Sequence, residues 1–267
     1  MKTVIVLPTY NEKENIEILI PKLEKVFKKI KNHDMHILVV DDKSPDGTAK
    51  SVKKLQKKYK NLHLILGDKQ GLGVAYLRGF KHAKQELDAE IMFMMDADLQ
   101  HPPELIPKFI EQINKGYDFV IGSRYIKGGG TPNWSLIRKI VSFGGNLFAR
   151  LIAGLYKVHD CTSGFRAFRV SVYDKIDKKQ LDTRGYAFQS TVLFEFIEVG
   201  AKVKEIPFIF REREHGESKL ETKDICSDIE KQILEYIQSI IEEIDAVLLS
   251  DYGNGVLTDN LKRKVID

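Results

Sequence analysis

The stretch Ile91-Met92-Phe93-Met94-Met95-Asp96-Ala97-Asp98-Leu99-Gln100 decides the fold, because an apolar run ends there in carboxylate and amide side chains. A short apolar run of this kind is typical of a buried strand in a parallel sheet. Open α/β sheets bind their ligands beyond the carboxyl ends of the strands. The sequence therefore predicts a binding site formed by Asp96, Asp98 and Gln100.

Similar apolar runs alternate with amphipathic segments along most of the chain. We predict strands at Thr3–Leu7, Ile37–Val40, His63–Leu66, Ile91–Met95, Phe119–Ile121 and Val203–Phe208. This alternation predicts an α/β fold with a mostly parallel central sheet and helices on both faces. Pro21 predicts a kink or a late start in the first helix, whereas Pro102 and Pro103 suit the opening of a later one.

The composition excludes several classes of protein. Of 267 residues, 43% are hydrophobic and 30% are charged, which disfavours long disorder and fibrous repeats. The net charge of +4 is too small to indicate a nucleic-acid partner. We expect no membrane-spanning helix and no cleavable signal, because the apolar runs are short and Pro8 closes the first. Cys161 and Cys226 lack a metal-type spacing and predict structural thiols in a reduced cytoplasmic setting.

The oxygen-rich residues at the predicted strand ends indicate metal and nucleotide chemistry. The carboxylates and the amide oxygen after Ile91–Met95 are hard donors that suit Mg²⁺ or Mn²⁺. An isolated Asp-x-Asp pair also commonly caps a helix, so its position after a strand carries the argument. Asp42 is expected to accept hydrogen bonds from a base or a ribose, and Asp46 to cap the next helix.

Cationic and hydroxyl side chains are expected to bind phosphate. Arg124 follows a strand, Arg138 and Ser142 lie one helical turn apart, and Arg213 to Lys219 form a basic, glycine-containing loop. Each of these alone fits a solvated surface residue. Together with the carboxylates they predict a site for a nucleotide diphosphate leaving group.

Two further segments have helical patterns. The segment Leu136–Leu155 mixes basic and large apolar residues, which suits either a helix packed on the core or one lying at a membrane surface. Residues 221–244 carry a narrow isoleucine stripe that could dock on the domain or on a partner helix.

From about Lys2 to Leu220 the sequence resembles the family 2 glycosyltransferases, and specifically the dolichol-phosphate mannose synthases. The motifs that carry the resemblance are L-P-T-Y-N-E-K-E-N from Leu7, V-D-D-K-S-P-D-G-T from Val40, G-L-G-V-A-Y from Gly71, M-D-A-D-L-Q-H-P-P-E from Met95, G-S-R-Y from Gly122, T-S-G-F-R from Thr162 and R-E-H-G-E-S-K-L from Arg213. The resemblance implies a Rossmann-like nucleotide-diphospho-sugar transferase fold for residues 1–220, as the catalytic domain.

The resemblance also implies roles for individual residues. Those expected to hold the nucleoside of GDP-mannose are Pro8, Tyr10, Glu12, Val40 and Asp42. Asp96 is expected beside the sugar or ribose, and the metal between the Ala97 carbonyl, Asp98 and Gln100. Those expected to bind the acceptor phosphate are Arg124, Arg138 and Ser142, while Arg213 and Lys219 are expected to close over the diphosphate.

The implied activity is metal-dependent transfer of mannose to dolichyl or polyprenyl phosphate with inversion, giving a β-linked lipid phosphate sugar. The chain is then expected on the cytoplasmic face of a membrane, attached through Leu136–Leu155, a small membrane-anchoring protein, or both. The alternatives are a prenyl-phosphate transferase that uses a UDP-sugar, and a non-catalytic nucleotide-sugar sensor. Residues 245–267 resemble an internal stretch of ribokinase-like sugar kinases, which predicts a truncated fusion remnant; an ordinary tail is the alternative.

Overall fold

A computed structural model describes residues 1–152, 154–181 and 187–211. The strands are β1 (Lys2–Thr9), β2 (Asp34–Asp41), β3 (Leu62–Leu66), β4 (Ile91–Met94), β5 (Phe119–Ser123), β6 (Arg166–Arg169) and β7 (Val203–Pro207). The helices are α1 (Lys13–Phe27), α2 (Thr48–Gln56), α3 (Leu72–Gln85), α4 (Ile106–Asn114), α5 (Leu136–Ile152), α6 (Val170–Tyr173) and α7 (Ala187–Glu198). Short 3₁₀ turns span Pro103–Leu105 and Lys178–Leu181.

The described strands form one sheet in the order β3-β2-β1-β4-β6-β5-β7. All neighbours pair in parallel except β6, which runs antiparallel to both β4 and β5. The predicted α/β class with a mostly parallel sheet is confirmed. The sequence prediction omitted β6, because the four residues of this strand, Arg166–Arg169, include two arginines and no apolar run.

Both faces of the sheet are buried, as the continuous apolar strands predicted. Val4 and Val6 of β1 pack in one core cluster with Tyr76 of α3. Ile5 and Leu7 point the other way and pack in a second cluster with α1 and α4. Side chains alternate along a strand, so burial of all four residues requires helices on both faces.

The proline predictions had different outcomes. Helix α1 begins at Lys13 and continues through Pro21, so the late start was wrong. The helix is amphipathic, and its apolar side is buried against the sheet, which offsets the lost backbone hydrogen bond at Pro21. Pro102 and Pro103 do precede the turn that leads into α4.

The topology brings distant segments to one edge of the sheet. The carboxyl ends of β1, β2, β4, β5 and β7 meet there because these strands are parallel. Met94 lies opposite Arg166, so the antiparallel strand β6 begins at this edge and the loop before it belongs to the same region. Helix α7 precedes β7, which places its first turn there too.

Some predictions fall outside the described residues: the loop with Arg213 and Lys219, the helix at 221–244, the tail at 245–267, and Cys226. Among the helices in the described ranges, none has the length and apolar character that crossing a bilayer requires.

Candidate active site at the carboxyl edge of the sheet

The acidic loop after β4 is a tight turn. Asp98 is buried and its Oδ1 accepts a hydrogen bond from the backbone N–H of Gln100 at 3.1 Å. Leu99 between them has φ of 66°, in the left-handed region that branched side chains seldom adopt. Strained backbone of this kind is typical of functional sites. Asp96 differs from Asp98 in that its side chain is 36% exposed.

Gln100 joins the acidic loop to the chain after β7. Its Nε2 donates to the carbonyl of Arg211 at 3.1 Å, and the backbone N–H of Arg211 donates to the carbonyl of Gln100 at 3.3 Å. The nitrogen of the Gln100 amide is thus directed at Arg211, so the amide oxygen is the atom that would contact a metal. Arg211 also approaches Glu104 at 3.4 Å.

The donor set of this loop fits a divalent cation that is completed by a substrate. In the described part of the chain, no group of three or more His, Cys, Asp or Glu side chains could hold a metal by itself. Mg²⁺ is usually bound by one or two carboxylates together with water and substrate phosphates, so a sparse set is what this chemistry requires. The Asp98 carboxylate, the Ala97 carbonyl and the Gln100 amide oxygen are the atoms that would hold it.

The residues predicted to bind the nucleoside lie at the ends of β1 and β2. Pro8 is the register partner of Val40, so the two strand ends lie side by side. Asp42 is buried and its Oδ1 accepts a hydrogen bond from Arg78 Nη1 at 2.8 Å. Burial raises the pKa of Asp42, although Arg78 opposes the shift. Arg78 also donates to the carbonyl of Asp68 at 3.0 Å, so it holds the loop after β3 against Asp42.

Asp46, in the loop after β2, contacts the starts of two helices. It accepts the backbone N–H groups of Thr48 at 2.9 Å and Lys13 at 3.1 Å, the first residues of α2 and α1. The N-cap residue of α2 is Gly47, so Asp46 supports this helix from one residue before the position that the predicted capping role requires. Glu12 is buried and accepts from Asn15 at 2.6 Å. Tyr10 stacks beneath Lys69, whose Nζ lies 3.9 Å from the ring centroid.

Arg124 has a buried partner that the sequence did not reveal. Its Nε and Nη2 donate to the two carboxylate oxygens of Asp160 at 2.8 and 2.7 Å, and Nη2 also donates to Thr162 at 2.7 Å. Burial opposes ionisation of Asp160, but Arg124 lowers its pKa below the ordinary value. The predicted acceptor-phosphate role of Arg124 stays a prediction, and it has to operate from within this ion pair.

The three residues predicted to bind the acceptor phosphate lie around two aromatic rings. The guanidinium carbons of Arg124 and Arg138 lie 5.5 and 4.2 Å from the ring centroid of Trp134. Ser142 Oγ is 2.7 Å from the hydroxyl of Tyr125. Residues that are distant in the sequence therefore face one region between β5 and α5.

Helix α5 exposes an apolar stripe beside this region. Its exposed members recur at helical spacing and are Leu136, Ile140, Phe143, Leu147 and Leu151, between 39% and 73% exposed. A groove of about 490 Å³ runs between this helix and the loop after β5, and its lining is mostly apolar. The other side of α5 packs on the core through Ala149, so the helix is packed on the core and also presents an exposed apolar surface of the kind that marks an interaction face.

Two buried residues of this edge were missed at the sequence level. His101 stacks on Phe165 with ring centroids 5.0 Å apart, and Gln189 lies in the first turn of α7. His101 belongs to the motif that starts at Met95, and that position was the available signal. Nothing in the sequence around Gln189 indicates a site.

Residues 4–177 match the family model described as glycosyl transferase family 2. The match covers more than half of the chain, so the protein belongs to this family of glycosyltransferases.

Its relatives act on lipid phosphates, as their names state. The chain is 37% identical over 226 residues to a polyprenol monophosphomannose synthase from Mycolicibacterium smegmatis, covering 84% of this chain and 83% of the relative. It is 40% identical over 228 residues to a dolichol-phosphate mannosyltransferase from Pyrococcus furiosus, covering 84% of this chain and 61% of that longer protein. An undecaprenyl-phosphate mannosyltransferase from Micrococcus luteus is 36% identical over 221 residues, covering 82% and 88%.

Solved structures share the fold at low identity. Mannosyl-3-phosphoglycerate synthase from Rubrobacter xylanophilus superposes with a TM-score of 0.67 at 18% identity, over 95% of this chain and 78% of that one. A mannosyltransferase from Pyrobaculum calidifontis, solved with GDP-mannose and Mn²⁺, has a TM-score of 0.56 at 15% identity, over 98% and 68%. The fold is therefore that of nucleotide-sugar glycosyltransferases.

Proposed function

We propose that this protein transfers mannose from GDP-mannose to dolichyl or polyprenyl phosphate, in a reaction that depends on Mg²⁺ or Mn²⁺. The names of the related proteins support the acceptor class and the sugar. The observation that carries the proposal is the acidic loop of Asp98 and Gln100 lying against the chain at Arg211. Arg213 and Lys219 follow two and eight residues later, so a short segment would bring their charges to the same diphosphate.

The acceptor supplies its own nucleophile. A phosphate monoester has a second pKa near ~6 and is mostly ionised at neutral pH. Its oxygen forms a bond to the anomeric carbon while the bond from that carbon to GDP breaks, and the electron pair leaves with GDP. No proton moves in this step. Attack from the opposite side inverts the centre, so an α-linked donor gives a β-linked product.

The task of the site is electrostatic. Two anionic phosphates have to approach each other, and negative charge grows on the departing GDP. A bound divalent cation supplies positive charge to the diphosphate. Arg138 and Ser142 would hold the acceptor phosphate beside the Tyr125 hydroxyl, with Arg213 and Lys219 over the donor. Such preorganised groups act most strongly where water is excluded.

The exposed apolar stripe on α5 supports a location for this reaction at a membrane surface. We propose that the stripe rests on the cytoplasmic face of a membrane, alone or together with a small anchoring protein, so that the acceptor phosphate reaches the site from the bilayer. Arg138 and Lys139 on the same helix are exposed, which suits an anionic lipid surface.

The proposal is tested by transfer of labelled mannose from GDP-mannose to a polyprenyl phosphate, with and without chelator. Asp98→Asn is expected to lower turnover by at least roughly 100-fold, the scale of losing one electrostatic contact. The matched control is Asp88→Asn on the exposed turn after α3, where asparagine accepts the positive φ of 49°.

The alternatives give distinct results. Transfer from a UDP-sugar and not from GDP-mannose would identify the UDP-dependent enzyme. Tight donor binding without transfer to any lipid phosphate would identify the sensor. Unchanged turnover in the presence of chelator would contradict the metal dependence.

A further inference from the structure

The loop before β6 lies against a small cluster of polar side chains beside the acidic loop, formed by Asp96, His101 and Gln189, which we call the Gly164 pocket. A Cβ atom placed on Gly164 would lie 3.3 Å from Asp96 Oδ2, 3.4 Å from Gln189 Nε2 and 3.5 Å from His101 Cε1. Two side chains of the acidic loop and one of α7 therefore converge on one point above Gly164. The point is reachable from outside, because Gly164 and Asp96 are both partly exposed.

Each polar group at this point is held in place from behind. Tyr76 donates its hydroxyl to Asp96 Oδ1 at 3.3 Å, and burial keeps the pKa of Tyr76 well above its usual value, so the phenol stays protonated. The other oxygen, Oδ2, is the one that faces Gly164. His101 Nδ1 accepts the backbone N–H of Asp96 at 3.0 Å, which fixes the orientation of the ring.

Gln189 is the least expected member of the pocket. The Gln189 side chain is buried. Arg166 fixes the backbone of this residue by donating from Nη1 to the Gln189 backbone carbonyl at 2.5 Å. Arg166 is itself completely buried and also donates to the carbonyl of Cys161 at 2.7 Å. Gln189 Oε1 is buried and has no hydrogen-bond partner among the described residues. A buried amide oxygen without a partner is costly, so the Gln189 side chain lacks a hydrogen-bond donor, while its Nε2 is the atom that lies beside Gly164.

The chemistry of the pocket favours neutral hydroxyl groups over phosphate. A carboxylate oxygen would repel a phosphate, whereas it accepts readily from a hydroxyl. An amide can both donate and accept, which matches a hydroxyl that does the same. Asp96 is adjacent to Ala97 and two residues from Asp98, so the hydroxyls would belong to a group joined directly to the metal-bound diphosphate.

We infer that Gln189, with Asp96 and His101 above Gly164, binds the hydroxyls of the transferred hexose, and that Gln189 is a specificity residue for that sugar. This inference rests on the proposed function in that it requires a nucleotide-sugar donor, but it does not depend on which nucleotide the donor carries.

The test compares the binding of the sugar nucleotide with that of the bare nucleotide. Calorimetric titration of GDP-mannose and of GDP, both with Mn²⁺, is carried out on the wild type and on Gln189→Leu. We expect GDP-mannose to bind Gln189→Leu about 10- to 100-fold more weakly, the range for leaving a hydrogen-bonding group unpaired, while GDP binds as before. The control is Gln180→Leu, the same change at an exposed residue of the second 3₁₀ turn.

A second variant reaches the same point without touching Gln189. Gly164→Ala puts a methyl group where the three side chains converge, and Gly164 has an ordinary negative or extended φ, so the backbone accepts alanine. We expect the same selective loss of GDP-mannose binding. This variant keeps the inference open to refutation if Gln189→Leu does not fold.

Three outcomes would overturn the inference. Equal weakening of GDP and GDP-mannose would assign the pocket to the ribose. A lower melting temperature with unchanged binding of both ligands would show that Gln189 binds a structural water and not the sugar. Unchanged binding of GDP-mannose to both variants would show that these residues do not form a sugar site. If the wild type instead binds a UDP-sugar, the proposed function fails, and the same comparison with that sugar and UDP decides the role of Gln189.

Discussion

The guanidinium of Arg124 is held against the carboxylate of Asp160 by two parallel hydrogen bonds of 2.8 and 2.7 Å, with both side chains at most 5% exposed. The backbone N–H of Arg124 donates to the same carboxylate at 2.9 Å. Asp160 thus fixes the end of β5 as well as the Arg124 side chain. Arg124 also lies over Trp134 and Tyr125, so the ion pair orders the region proposed to receive the acceptor phosphate.

Asp160→Asn is expected to destabilise the protein by about 3–5 kcal/mol, because it leaves a buried guanidinium without its counter-charge. Urea unfolding measures the change. The control is Asp174→Asn, which breaks the exposed pair with Lys84 at 2.6 Å and should cost at most about 1 kcal/mol. Equal effects of the two substitutions would contradict the structural role of Asp160.

The Arg124–Asp160 ion pair also predicts that part of the protein's free energy of unfolding is lost in acid. Arg124 holds the pKa of Asp160 in the folded state below its ordinary value of 3.8, despite burial. As the pH falls, Asp160 is therefore protonated in the unfolded chain before it is protonated in the folded protein. The stabilising contribution of the Arg124–Asp160 pair is lost as the pH falls from the ordinary pKa of Asp160 through its lower pKa in the folded state. Unfolding free energies measured between neutral pH and pH 2 should fall more steeply for the wild type than for Asp160→Asn. Parallel curves would exclude this contribution.

Gly67→Ala is expected to weaken nucleotide binding without unfolding the chain. A Cβ at this position would lie 1.8 Å from Arg78 Nη1, so the guanidinium has to move away from Asp42. The flexible arginine can move, but the movement leaves the buried Asp42 carboxylate without its partner, so some loss of stability accompanies it. It frees a carboxylate proposed to bind the base, and we expect GDP to bind roughly 10-fold more weakly. GDP affinity equal to the wild type would show that Arg78 does not position Asp42 for binding.

Cys161 is expected to resist alkylation in the folded protein. Burial raises the pKa of its thiol to about 12, and the side chain is inaccessible. Only the thiolate reacts, so iodoacetamide at pH 8 should modify Cys161 only after denaturant is added. Peptide mapping by mass spectrometry checks this residue separately from Cys226. Rapid labelling of the native protein would indicate that the loop before β6 opens.

Ile140→Glu is expected to reduce binding to anionic phospholipid vesicles, because it places a charge in the exposed stripe of α5. Ile140 is 63% exposed, so the fold should tolerate the change. Leu66→Glu, at a 49% exposed position on the edge strand β3, is the matched control. Vesicle sedimentation measures both, and equal binding of both variants would rule out α5 as the membrane contact.

The sequence was sufficient for the features that depend on local pattern. Continuous apolar runs such as Ile91–Met94 predicted buried parallel strands, because a strand covered on both faces has no polar side. The acidic residues after that run predicted the binding edge, since parallel strands bring their carboxyl ends together. The helical spacing in Leu136–Leu155 predicted α5, and left open whether this helix packs on the core or lies at a membrane surface.

Only the tertiary structure decided which distant groups meet. Strand β6 forms because β4 and β5 pair with its two edges, and its own residues show no apolar run that would predict it. That antiparallel strand brings Asp160 to Arg124 and Gly164 to Asp96 and Gln189, over separations in sequence that no periodicity reveals. Hydrogen bonds and ion pairs are short-ranged, so a partner is set by the path of the folded chain and not by the residue's neighbours in sequence.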